Sequence, residues 1–308
     1  MRVVVAGLGV QGNKRALIAG AEVVATCDPV NPAAKHKSIK GIPLESFDAA
    51  LVCVPDQAKF GVIEYLLANG KHVLVEKPLL SANESEIINL TETARSKNIV
   101  CYTAYNHRFE PHIARLKEIL DSGVLGAVYS ARFFYGNGTA RDVRQSPWRD
   151  QGLGVLSDLG SHLLDTALFL FGDKAGPFEI WNSNQFENRS LDHVVFGSKN
   201  RPVLQLEATL LSWRNTFTAD IFADKGTAHI HGLCKWGPSV LTLRKRKLPS
   251  GKPQEESWTL ECPDPTWAQE YQYFKKLCQE GRTNLHNDIW INAVLNELAR
   301  PAGVESLA

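Results

Sequence analysis

The chain has 308 residues, 44% of them hydrophobic and 22% charged, and a formal net charge of +1. That length supports two domains with separate cores, and the composition is that of an ordinary globular protein. So small a net charge gives no electrostatic case for nucleic acid or an anionic membrane as partner, and no apolar run reaches the length of a membrane span. Six cysteines (Cys27, Cys53, Cys101, Cys234, Cys262 and Cys278) are scattered without a CxxC pair. That spacing speaks against a disulfide framework or a metal site and suits reduced thiols in the cytoplasm.

The chain opens "MRVVVAGLGVQG", an arginine and a short apolar run that glycines interrupt, so it reads as a first strand and not as a leader. "GNKRALIAGA" then reads as a helix, "EVVATCD" and "AALVCVP" as strands, "FGVIEYLLANG" as a helix and "HVLVE" as a fourth strand. "NESEIINLTETARSKN" is a helix with Ser81 or Asn83 as its cap, and "IVCYTAY" a fifth strand. Short apolar strands alternating with helices imply a parallel sheet covered on both faces. After Tyr105 the pattern changes. "PHIARLKEILDSG" is an amphipathic helix, "AVYSARFFYG" a strand, 137–154 a polar loop and "LSDLGSHLLDTALFLFG" an apolar helix. Seven strands joined by short turns run from Phe178 to Leu260, and two helices close the chain. The expected fold is α/β: a doubly wound nucleotide-binding domain over 1–104, then an α+β domain with a large, mostly antiparallel open sheet over 105–308.

"GLGVQG" (Gly7, Gly9, Gly12) follows the first strand and opens the first helix. Gly7 permits the tight turn, Gly9 lets a pyrophosphate approach the backbone, and Gly12 lets helix pack on strand. The helix N-terminus then offers N–H groups to phosphate. Asp28 ends the second strand, where an acid accepts hydrogen bonds from a ribose 2′-hydroxyl and repels a 2′-phosphate, which favours NAD over NADP. Lys14 and Arg15 read as a solvated helix face, with contact to phosphate the alternative.

In "VLVEKPLL" the fourth strand ends in Glu76, Lys77 and Pro78. Ligands of open α/β sheets bind outside the carboxyl ends of the strands, so Lys77 faces the cofactor side. Pro78 fixes φ and restrains Lys77 to an extended conformation, and the Lys77–Pro78 bond is a candidate for cis. Lys77 suits proton transfer; a surface lysine paired with Glu76 is the plainer alternative. "SDLGSH" sets Asp158 and His162 four residues apart, on one helix face, with Asp165 continuing it. A carboxylate beside an imidazole fixes its tautomer, so His162 suits a proton shuttle. An N-cap aspartate with an unrelated histidine, or a metal pair, are the alternatives, and no third metal ligand is evident nearby. "PWRDQGLG" puts Trp148 and Arg149 in a glycine-rich loop able to close over a cofactor; a loop packed by its own Trp is the alternative. Trp181, Trp213 and Trp236 read as core or interface residues, with stacking on a base or sugar the alternative.

Together these pieces resemble the Gfo/Idh/MocA oxidoreductases, through GLGVQG at 7–12, EKP at 76–78, YNHRF at 105–109, WRDQG at 148–152 and DLGSH at 158–162. The resemblance implies a Rossmann domain, a second domain whose open sheet serves in homodimer or homotetramer contacts, and hydride transfer between a nicotinamide and a sugar or cyclitol carbon. Carried onto this chain, it puts cofactor contacts on Gly7, Gly9, Val10, Gln11, Gly12, Asp28, Pro29, Val54, Pro55, Glu76, Lys77, Asn106, Trp148 and Arg149. It puts substrate contacts on Lys77, Arg108, Asp158 and His162, with Lys77, His162 and Asp158 catalytic and no metal. Many relatives carry TPNxxH after the third strand, whereas this chain has "VPDQAK". Asp56 and Lys59 therefore stand at the asparagine and histidine positions, a departure expected to alter adenosine-side contacts and leave the chemistry untouched.

Within the family the compact chain and the DLGSH helix resemble nucleotide-sugar 3-dehydrogenases, which oxidise UDP-N-acetylglucosamine for lipopolysaccharide or lipid A precursors. The expected mechanism has His162 accept a hydroxyl proton while hydride passes to NAD, with Lys77 on the same hydroxyl; Lys77 as the base is the alternative. A free-sugar or inositol dehydrogenase, and a non-catalytic NAD-binding regulator, are the other readings.

Overall fold

Apolar residues on both faces of every short strand decide the first sheet. Val3, Val4 and Val5 are fully buried, as are Ala49–Val52 and Val73–Val75, and a strand with no wet face needs a layer on each side. In this computed structural model, which describes residues 1–146, 148–173 and 175–300, these strands lie in a unit made of Met1–Asn106 and Thr266–Asn292. Strands β1 (Val3–Ala6), β2 (Val23–Cys27), β3 (Ala49–Val52), β4 (His72–Glu76) and β5 (Cys101–Ala104) form a parallel sheet in the order β2-β1-β3-β4-β5. Alternate residues feed two cores. Val4, Ala6, Ala50 and Val73 pack with Ile63, Leu66 and Leu67 of α2 (Asp56–Ala68) and with Ile87 and Leu90 of α3 (Glu84–Ser96). Val3, Val5, Leu51, Leu74 and Tyr102 pack with Ala19 of α1 (Val10–Ala19) and with Tyr271, Phe274 and Leu277.

Those last three residues overturn one expectation. The sequence reading assigned everything from 105 to 308 to the second domain, yet Thr266–Asn292 belongs to the first unit. The face of the parallel sheet beside α1 needs a second cover, and the helix Thr266–Glu280 supplies it with a buried stripe of Trp267, Tyr271 and Phe274. Of the expected caps for α3, Asn83 takes the role by accepting the Ser85 N–H. Ser81 is tied instead to Asn292, whose amide bonds both its N–H and its C=O. Pro147, in the Trp148–Arg149 segment, and positions 301–308 of the expected second domain lie outside the described residues.

The other unit comprises His107–Pro265 and the chain from Ala293. It begins with α4 (Pro111–Asp121), β6 (Val128–Gly136) and the short α5 (Ala140–Arg144), which interrupts the expected polar loop. A π-helical turn at Leu156–Gly160 leads into α6 (Ser161–Phe171), where the sequence pattern predicts one continuous helix. Strands β7 (Glu179–Asn184), β8 (His193–Ser198), β9 (Val203–Thr209), β10 (Thr216–Ala223), β11 (Gly226–His231), β12 (Ser239–Lys245) and β13 (Gln254–Leu260) join β6. The order of this eight-stranded sheet is β13-β12-β11-β10-β6-β9-β8-β7, antiparallel throughout except for β6 against β9. One face is apolar and covered, with Ala131, Phe133, Leu204, Leu206, Phe217 and Ile221 buried. The other face carries Arg132, Gln205, Glu207, Thr218 and Asp220, which line a shallow niche. No helix among the described residues is long and apolar enough to cross a membrane.

Candidate active site

The carboxyl edge of the parallel sheet collects the residues expected to meet the nucleotide. The glycine loop follows β1, Asp28 follows β2, Val54 and Pro55 follow β3, and Lys77 follows β4. Order reverses at β1, between β2 and β3, which is where open α/β sheets hold dinucleotides. The glycines are required by space. Gly7 has φ +90°, and a Cβ there would stand 2.4 Å from the Cys53 carbonyl oxygen. A Cβ on Gly12 would stand 1.8 Å from the Gly7 oxygen, whereas one on Gly9 would meet nothing within 4 Å. Gly9 thus leaves open space beside the first turn of α1, which has no side-chain cap. The N–H groups of Val10, Gln11 and Gly12 precede the first intrahelical bond, Asn13 N–H to Gly9 at 3.0 Å. These residues fit a dinucleotide diphosphate.

Asp28 orders that loop before it meets any ligand. One carboxylate oxygen accepts the Leu8 N–H at 2.8 Å, and the other accepts Val30 and Asn31 at 2.8 and 2.7 Å. The amides of Asn31, Leu8 and Val30 hold the Asp28 carboxyl below its ordinary pKa. The stabilisation this gives the loop is therefore complete at neutral pH and is lost only as pH falls through that depressed value. Pro29 is exposed beside it.

The strand-end motif is held by groups the sequence reading left in solvent. Arg15 is 1% exposed. Its guanidinium bonds Glu76 at 2.7 Å, pairs with Glu270 at 2.7 Å and lies 4.1 Å over the Trp267 ring, which Lys14 also covers. Burial works against the Arg15 charge, but Glu270 and Glu76 outweigh it and raise its pKa. Glu76 is thus a partner of the buried Arg15. Lys77 is half-buried, and the Lys77–Pro78 peptide is cis. Lys59, expected to alter adenosine-side contacts, reaches the strand-end turn. It is 3% exposed, and its ammonium donates to the Pro78 carbonyl at 2.7 Å. Arg15→Met should cost about 3–5 kcal/mol of stability, because two carboxylates lose a buried counter-charge. A denaturant melt checks this, and a loss under ~1 kcal/mol would contradict the described network.

Asn106 is buried and donates to Thr266 Oγ1 at 2.7 Å. In the other unit, His162 lies on α6 and is 7% exposed. Its ring stacks on His107 with centroids 4.3 Å apart and planes at 23°, and Tyr135 of β6 meets both rings. Burial, with the Asp158 charge adding to it, pushes the Tyr135 phenol up. Asp158 sits in the π-helical turn, 3.9 Å from Arg149, so the structure brings those two predicted residues together. Arg108, expected at the substrate, grips Asp165 with its guanidinium at 2.6 to 3.0 Å. Complete burial raises the Asp165 carboxyl, and the Arg108 charge opposes that shift. Trp148 is 60% exposed in its loop. Of the tryptophans read as core or interface, Trp236 stacks on Tyr135, while Trp181 and Trp213 are exposed.

His107 and Tyr135 escaped the sequence reading. The only signal for His107 was its place inside YNHRF, and Tyr135 looked like one more inward residue of an alternating strand. Asp150 also escaped; it accepts the Arg189 and Ser190 N–H groups and so pins the Trp148–Arg149 loop.

A parallel five-stranded nucleotide fold with a glycine cradle, joined to an eight-stranded sheet domain, defines a dinucleotide-binding oxidoreductase architecture. Residues 1–105 match the oxidoreductase family with an NAD-binding Rossmann fold, and residues 113–229 match the GFO/IDH/MocA C-terminal domain. The chain belongs to the Gfo/Idh/MocA oxidoreductase family. It is 36% identical over 110 residues to levoglucosan dehydrogenase of Pseudarthrobacter phenanthrenivorans, covering 34% of this chain and 28% of that one. It is 28% identical over 228 residues to the NADP-dependent scyllo-inositol 2-dehydrogenase of Bacillus subtilis, covering 71% and 60%. The chain thus spans less than two thirds of the length of the curated relatives it matches. The solved UDP-N-acetylglucosamine 3-dehydrogenase of Acidithiobacillus ferrooxidans shares the fold, with a TM-score of 0.80 at 20% identity over 99% of this chain and 98% of that one.

Proposed function

We propose that this chain is an NAD-dependent dehydrogenase that removes hydride from a sugar carbinol carbon, acting on the 3-hydroxyl of a nucleotide sugar such as UDP-N-acetylglucosamine. The observation that carries the reading is the carboxyl edge of the five-stranded sheet. There a glycine cradle with open space at Gly9, an ordered carboxylate and a strand-end lysine follow β1, β2 and β4. A bound nicotinamide nucleotide supplies the hydride acceptor. Gly9 and the first turn of α1 hold its diphosphate, and Asp28 accepts from the ribose 2′-hydroxyl. His162 takes the proton from the substrate hydroxyl as the carbinol C–H bond breaks. Lys77 donates to the same oxygen and stabilises its developing negative charge. His107 keeps the His162 ring in one plane, and Arg149 and Asp158 orient substrate and carboxamide. The relatives that act on levoglucosan and inositol support a free polyol as the second reading. The polar face of the eight-stranded sheet suits a homodimer or homotetramer in the cytoplasm, and the product suits lipopolysaccharide precursor synthesis.

UDP-N-acetylglucosamine deuterated at C3 tests the carbon assignment. The reading expects deuterium in the reduced nicotinamide; a deuterium-free reduced cofactor sinks it. Asp28→Ala should lower the NAD to NADP ratio of kcat/KM by about tenfold, since the ribose hydrogen bond and the repulsion of a 2′-phosphate both disappear. Parallel assays with both cofactors check this, and an unchanged ratio rules Asp28 out as the discriminator.

A further inference from the structure

Two buried cations grip the strand-end turn, one on each side of Lys77. Arg15 of α1 holds Glu76, and Lys59 of α2 holds Pro78. The Lys59 ammonium donates to the Pro78 carbonyl at 2.7 Å and pairs with Asp56 Oδ1 at 2.6 Å. The Asp56 side chain is 53% exposed and that of Lys59 only 3%, so the pair is wet at one end and dry at the other. An ammonium taken out of water needs compensation, which these two oxygens provide. Burial pulls the Lys59 pKa down while Asp56 resists, and the charges of Glu76 and Lys77 also act on it. The Cys53 thiol, close to Glu76, Arg15 and Lys59, is pushed up by its burial and is no counter-charge. The arm is rigid, since Ile63, Leu66 and Leu67 anchor α2 in the core. Pro78 has no N–H to tie this turn to its neighbours, and its carbonyl, on a buried residue, takes its donor from the Lys59 side chain.

We propose that Lys59 is a positioning residue for hydride transfer, fixing through Pro78 the turn from which Lys77 meets the substrate hydroxyl. This rests on the reading of Lys77 given above. Misplacing a group that must meet one oxygen lowers turnover more than cofactor affinity.

Backbone hydrogen exchange and kinetics on Lys59→Met and Lys59→Arg test it together. In Lys59→Met, exchange at Lys77, Leu79 and Leu80 should rise by about tenfold with β1 and β3 unchanged. Its kcat should fall by about ten- to a hundredfold while NAD affinity stays within about twofold. Lys59→Arg, which keeps a cationic donor, should recover most of both losses. Wild-type exchange at the turn in Lys59→Met overturns the proposal, and so does wild-type kcat in a variant whose turn has loosened. If wild-type protein turns over no polyol, the dehydrogenase reading fails separately, and the exchange comparison still decides whether Lys59 holds the turn. Should Lys59→Met not fold, Asp56→Asn at the exposed end of the pair carries the same test. Its exchange at the turn should rise several-fold, and unchanged exchange would overturn the proposal.

Discussion

Lys77→Ala and His162→Ala should each lower kcat by about two to four orders of magnitude, with NAD affinity nearly unchanged. The two residues do different work. In the proposed mechanism His162 receives the proton that must leave the hydroxyl as hydride departs, and without it the hydroxyl must lose that proton to water alone. Lys77, in the same proposal, supplies positive charge to the developing alkoxide. Each sits on a rigid element, Lys77 behind a strand whose Val73–Val75 are fully buried and His162 on a helix whose residues from Ser161 to Ala167 are all buried. Replacement by alanine therefore removes chemistry while the framework stays, and thermal melts should confirm folded proteins. Near-normal turnover in both variants would refute the assignment. If Lys77→Ala is the more damaged and alone loses the pH dependence of kcat, Lys77 is the base and His162 the orienting group.

Gly12→Ala should abolish cofactor binding, with NAD affinity falling by at least about a hundredfold. The added methyl would stand 1.8 Å from the Gly7 oxygen and 2.9 Å from the Gly7 carbon. Both are backbone atoms, so the loop must open, and the Gly7 N–H bond to the Cys27 carbonyl at 2.8 Å goes with it. Gly9→Ala separates cradle from scaffold. Its methyl meets no protein atom within 4 Å, so the melting temperature should hold while the methyl takes the space of the diphosphate. Titration of both variants with NAD, beside melts, checks the pair. Full NAD affinity in Gly12→Ala would mean that this loop is not the diphosphate site.

Local signals were legible in the sequence and distant ones were not. Runs such as Val3–Val5 and Val73–Val75 announce strands because nothing but a doubly covered sheet buries both faces. The glycine loop was legible because three positions carry a steric requirement. Arg15 was misread because Gly12, Arg15 and Ala19 form the buried stripe of α1. A cation on that stripe looks solvated until Glu76 and Glu270 arrive from far along the chain. Lys59 hid in the same way, since its acceptor is a backbone carbonyl that no sequence pattern marks. The crossing of Thr266–Asn292 into the first unit depends on which sheet face lacks cover, a property of the assembled sheet. The π-helical turn under Asp158 carries no compositional mark in "LSDLG".

The most direct measurement is NADH absorbance after the purified protein is mixed with NAD and, in parallel, UDP-N-acetylglucosamine, glucose and inositol. A rise with the nucleotide sugar is the predicted result. A rise only with a free polyol would keep the mechanism and replace the substrate. Flat traces in every well, with NAD and with NADP, from protein that binds the nucleotide tightly would contradict hydride transfer and identify a sensor of the cofactor.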